Sequence, residues 1–172
     1  METNEKLSDA QTEDLVMELM KGDTLDHRIG VYFEFGQFAS MEKEIAKDAR
    51  WSCLYSIETG KRFKLGEPKI AEDALWAFRY ASEVLHESFE LGEKAISQDA
   101  RLSVKYAKYV LKRRFALGER AISTDARLSV KYAKDVLKGR FALGEKVIEN
   151  SFYYDDYVKF IDSHPNETYY GR

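Results

Sequence analysis

Residues 91–119 read LGEKAISQDARLSVKYAKYVLKRRFALGE, and residues 117–145 read LGERAISTDARLSVKYAKDVLKGRFALGE. Of these 29 aligned positions, 25 are identical. Self-similarity at a fixed period of roughly 20–50 residues is the mark of a repeat architecture, so it is weighed before any local signal. Phe63, Phe89, Phe115 and Phe141 follow a 26-residue spacing, as do Gly66, Gly92, Gly118 and Gly144. Asp73, Asp99 and Asp125 share the register, and MEKEIAKDARW (41–51) resembles GEPKIAEDALW (66–76) with a shift of 25. Four full units start near Phe38, Phe63, Phe89 and Phe115, and a fifth, partial unit starts at Phe141.

Each unit reads as two helices. The longer starts at an aspartate, whose carboxylate accepts from the orphan N–H groups of the first turn and suits the positive end of the helix dipole. It runs through RLSVKYAKDVLK and is expected to stop at Gly139, which would be the left-handed residue past the end. In the preceding copy Arg113 holds that place. The shorter helix starts near the Gly-Glu pair, where Pro68 falls in a tolerated first-turn position. Two helices this short cannot bury their apolar faces alone and must stack on their neighbours. The expected fold is therefore all-α, with tandem two-helix repeats stacked as a short α-solenoid between helical caps. Residues 1–37 form the N-terminal cap, 38–148 the repeats, and 149–172 a capping helix and tail. In the first cap, DAQTEDLVMELMK (9–21) has a helical pattern that gathers Leu15, Val16, Leu19 and Met20 opposite its acids.

Composition agrees. The chain has 172 residues, 44% hydrophobic and 33% charged, with 10 Gly and 2 Pro, which favours helices over a turn-rich β fold. No apolar run is long enough for a membrane span, and the polar, acidic start is unlike a presequence. Cys53 stands alone, which excludes a disulfide framework and fits a reducing, cytoplasmic setting.

Charge is unevenly placed. The chain carries −3 overall, whereas residues 101–140 carry +9 and residues 1–50 carry −6. At 100° per residue, Ser103, Val104, Ala107, Val110 and Leu111 share one face of the long helix, with Leu102 and Tyr106 at its edge. Arg101, Lys105, Lys108 and Lys112 line the opposite face, and Arg127, Lys131, Lys134 and Lys138 repeat the stripe. Two readings stand. The stripe is a solvated face copied by duplication, or it binds an anionic partner, with Tyr109 beside it as a stacking platform. Asp135 replaces Tyr109 in the next unit, which counts against a base-by-base code.

No residues assemble into a catalytic or metal site, and no cofactor motif is present. His27, His86 and His164 are scattered, and Cys53 reads as a small buried hydrophobe. Adjacent Asp155 and Asp156 point apart on a helix. The repeated Leu-Gly-Glu reads as punctuation between helices. Phe152, Tyr153, Tyr154 and Tyr157 cap the array or form a partner or self-association surface.

The pattern Phe63, Glu67, Pro68, Ile70, Ala71, Asp73, then Trp76, Ala77, Tyr80, Ala81, Val84 and Leu85 resembles short helical repeats in proteins of tailed bacteriophages. The architecture is also loosely similar to tetratricopeptide and Sel1 repeats, though the period is shorter. The phage resemblance covers about residues 38–148 and implies a viral helical-repeat protein with no functional residues to carry over. The expected function is non-enzymatic binding of a host macromolecule, a protein with an acidic surface, with inhibition of a host enzyme or defence system as the outcome. The alternative is nucleic-acid binding through the Lys/Arg stripe.

Overall fold

The computed structural model describes residues 39–164, and the expectations for the N-terminal cap and the last residues of the tail lie outside them. Every regular element among the described residues is helical. Five helix pairs follow one another: α1 (Ala39–Ile45) with α2 (Ala49–Thr59), α3 (Glu67–Ile70) with α4 (Ala74–Arg79), α5 (Glu90–Ile96) with α6 (Ala100–Lys105), α7 (Glu119–Ile122) with α8 (Ala126–Tyr132), and α9 (Ala142–Glu149) with α10 (Tyr154–Ser163). The fifth unit is thus a complete pair rather than a partial one.

The aspartate caps form as expected. Asp48, Asp73, Asp99 and Asp125 accept from backbone N–H groups two or three residues on, at 2.8–3.0 Å. The far ends differ from expectation. In α4, α6 and α8 the helix widens into π-helical segments, Tyr80–Leu85, Tyr106–Leu111 and Ala133–Leu137. The left-handed residue is then His86, Lys112 or Lys138 (φ 53–54°), one place before Gly139 and Arg113. Only α2 ends on a left-handed glycine, Gly60 (φ 63°).

The spacing explains the π segments. Twelve positions separate Asp48 from Gly60, but thirteen separate Asp73 from His86, Asp99 from Lys112, and Asp125 from Lys138. The extra residue falls after the tyrosine that stands seven positions past each capping aspartate, and a π turn is how a helix absorbs one inserted residue. That shift also turns Val110 and Leu111, expected on the buried face, to half-burial, whereas Tyr106, expected at the edge, is fully buried with the next unit's Phe115 ring against it.

Units stack through a glycine notch. A Cβ placed on Gly66, Gly118 or Gly144 would lie 2.3–2.6 Å from the hydroxyl of Ser52, Ser103 or Ser129 on the preceding long helix. At Gly92 the small partner is Ala77, at 2.6 Å. Each long helix therefore lies directly against the next unit's short helix, and successive long helices also touch. The core is the row of Ile70, Ile96, Ile122 and Ile148 with Tyr80, Tyr106 and Tyr132, all fully buried. Cys53 belongs to this core, and burial pushes its thiol up to about 12, so it is an inert apolar filler.

At the end of the row the notch closes. Tyr154 stands on α10 at the register position of Ser129, so the small residue that receives a following glycine is absent there.

Candidate binding groove

Behind each repeat aromatic lies a hydrogen-bond relay. The Tyr132 hydroxyl accepts from the Phe115 N–H (2.8 Å) and donates to Glu119 Oε1 (3.1 Å). Arg114 clamps the same carboxylate with Nε and a terminal nitrogen at 2.6 and 2.7 Å. Arg62–Glu67–Tyr80 and Arg140–Glu145–Tyr157 repeat it. The Leu-Gly-Glu stretch is therefore more than punctuation: its glycine seats the next unit and its glutamate anchors a buried tyrosine. Burial lifts the tyrosine hydroxyls, to about 12 at Tyr80 and upward at Tyr106, Tyr132 and Tyr157. Hydrogen bonds from Arg140 hold Glu145 below the usual carboxylate range. Every buried side-chain polar atom among the described residues is satisfied.

The third unit departs from this scheme. Ser88 stands where the second, fourth and fifth units have arginine, and Glu93, which takes the Tyr106 hydroxyl at 3.1 Å, is more exposed than Glu67 or Glu119. Glu93 opens on a groove of about 910 Å³ where the π segments of α6 and α8 end. Its apolar floor is Ala107, Leu111, Phe115, Leu117, Val136 and Leu137. Five cations (Lys108, Lys112, Arg113, Arg114, Lys138) and two acids (Glu93, Asp135) surround that floor. Lys108 is held by Asp135 at 2.9 Å and Arg114 by Glu119. Lys112, Arg113 and Lys138 are exposed and have no acid within ion-pair distance among the described residues. The left-handed turns at Lys112 and Lys138 bring these two side chains to the groove rather than along the helix.

The predicted stripe is therefore interrupted. Arg101, Lys105, Arg127 and Lys131 are exposed on α6 and α8. Lys108 and Lys134 are half-buried, each bound to an acid further along the chain, Asp135 and Asp156 (2.6 Å). Tyr109 is 57% exposed with Lys108 Nζ 5.2 Å from its ring centre. Of the C-terminal aromatics, Tyr157 is the last relay tyrosine and donates to Glu145. Tyr153 packs half-buried on the core, Tyr154 is partly exposed, and Phe152 is 98% exposed. Sequence reasoning missed Arg113 and Leu117. Leu117 belongs to a ladder with Leu65, Leu91 and Leu143, each 54–62% exposed, and the repetition of an exposed leucine was the available signal. Among the described residues no group of His, Cys, Asp and Glu is placed to hold a metal, and no helix is long and apolar enough to cross a membrane.

Compared with protein-family models, with curated proteins and with solved structures, the chain matches none.

Proposed function

We propose that this chain is a non-enzymatic binding protein whose groove takes an acidic, amphipathic segment of a macromolecular partner. One observation carries the reading: Lys112, Arg113 and Lys138, without acid partners among the described residues, stand around an apolar floor. Such a surface suits a helix presenting leucine-like side chains between carboxylates. A phosphate backbone would use the cations and leave the floor uncovered. The likeness to tailed-phage repeats makes a host protein the partner, and inhibition or redirection of a host enzyme or defence system the consequence.

The test is a screen of displayed helical peptides against the protein and its Lys112→Glu/Lys138→Glu variant. Expected winners carry an apolar face flanked by Asp and Glu and bind the variant at least roughly tenfold more weakly, as the loss of close charge pairs demands. Enrichment of basic peptides, or equal binding by the variant, overturns the reading.

A second reading, nucleic-acid backbone binding, draws on exposed Arg101, Lys105, Arg127, Lys131 and Tyr109. Fluorescence anisotropy of labelled RNA and DNA decides it. Affinity falling steeply with salt favours it, and no binding at low salt removes it.

A further inference from the structure

We infer that the groove is occupied, within the same molecule, by the chain's own residues 9–21. The inference rests on the groove reading above and names the first segment that fits it. The sequence DAQTEDLVMELMK places Leu15, Val16, Leu19 and Met20 on one side of a 3.6-residue period, with Asp9, Glu13, Asp14 and Glu18 around them. The groove presents the complement: Leu111, Leu117 and Val136 on its floor, and Lys112, Arg113 and Lys138 around it.

Charge balance points the same way. Residues 1–38 contain nine acids and three bases, whereas residues 101–140 carry the chain's +9 excess. The chain is long enough. The seventeen residues from 22 to 38 span at most about 55–60 Å when extended. Three unit steps from α1 to α8, at roughly 8–10 Å per packed helix, come to about 30 Å. Docking in the same molecule also gives the segment a high effective concentration, so a modest groove is filled. An outside partner then has to displace it, which makes residues 9–21 a built-in competitor.

Hydrogen exchange on the full-length chain tests this. Amides of residues 9–21 are expected to exchange roughly tenfold more slowly in the wild-type chain than in Lys112→Glu/Lys138→Glu. Both lysines are exposed, and an unchanged melting curve shows that the variant is folded. Adding Glu13→Lys/Glu18→Lys to that variant is expected to restore the protection by charge reversal. Equal exchange in wild type and variant overturns the inference. So does protection that disappears on dilution, which assigns the groove to a second copy. A synthetic 9–21 peptide titrated onto full-length Glu13→Lys/Glu18→Lys separates the two levels. If the peptide binds but the wild-type segment is unprotected, the groove reading stands and the intramolecular occupant falls. If the peptide does not bind, both fall.

Discussion

The third and fourth units are near copies, yet they agree inside and differ outside. Inside, Tyr106 meets Phe115 and Tyr132 meets Phe141 edge-on, both at 5.1 Å. Ser103 and Ser129 donate to the carbonyls of Ile96 and Ile122, both at 3.0 Å. Outside, exposed Tyr109 becomes Asp135, which binds Lys108, and exposed Arg113 becomes buried Gly139. Four positions differ between the copies, and two of them put Asp135 and Arg113 into the groove. An interior residue of a stacked repeat must fit two neighbours at once, so change there is penalised twice. The divergence falls instead around the groove, where Asp135 ties down Lys108 of the neighbouring unit and Arg113 stands exposed.

Breaking the common interior gives the largest effect. The buried tyrosines are neutral in the fold, and their hydroxyls are raised above the ordinary 10.0. A raised folded value means full stability below pH 10, lost as pH rises through the folded values. Tyrosinate absorbance followed with circular dichroism should show Tyr80, Tyr106, Tyr132 and Tyr157 ionising together with loss of helix, above pH 10. Stepwise ionisation on an intact fold would refute a shared interior.

Next comes the notch. Gly118→Ala puts a methyl 2.5 Å from the Ser103 hydroxyl and 2.7 Å from the Phe115 ring, and should cost about 3 kcal/mol in urea unfolding. Ser103→Gly in the same background should recover part of that, because it empties the site the methyl enters.

The relay sharpens the difference between the units. Glu119→Gln removes a buried charge from two arginine bonds and should cost about 1–3 kcal/mol. Glu93→Gln, in the unit where serine replaces arginine, should cost less than half as much. Equal costs would mean that the arginine contributes little.

The smallest effect is a gain. Lys138 holds a left-handed conformation that costs an L-residue about 1 kcal/mol, so Lys138→Gly should raise stability by up to that amount. It should weaken capture of the acidic peptide at the same time. A gain in both would separate Lys138 from the groove.

Much of the fold was legible in the chain. The period, the aspartate caps and the short residue at Ser103 all follow from local rules that repetition printed several times. The groove was not legible, for three physical reasons. The extra residue after each tyrosine turns part of the helix into π geometry, and a 100° projection then misplaces Val110 and Leu111. The glycine rule for helix ends pointed to Gly139, whereas Lys138 takes the strained place. Lys108 finds its acid 27 residues away, a distance no pattern within one helix reveals. Even so, the shift from 25 to 26 between the first unit and the rest was printed in the sequence, and it is the cause of the first two.

Tyr154 has a consequence for how such a chain can grow. A row of units seated glycine against serine has nothing in its chemistry that says how long it should be, and every open end invites another copy. With a tyrosine in the receiving place, this long helix offers no small residue on which a further glycine of the same kind could seat. The most alike pair, 91–119 and 117–145, lies immediately before that helix. The seat is thus a rule for adding units within the row, and Tyr154 is a helix face to which that rule does not apply.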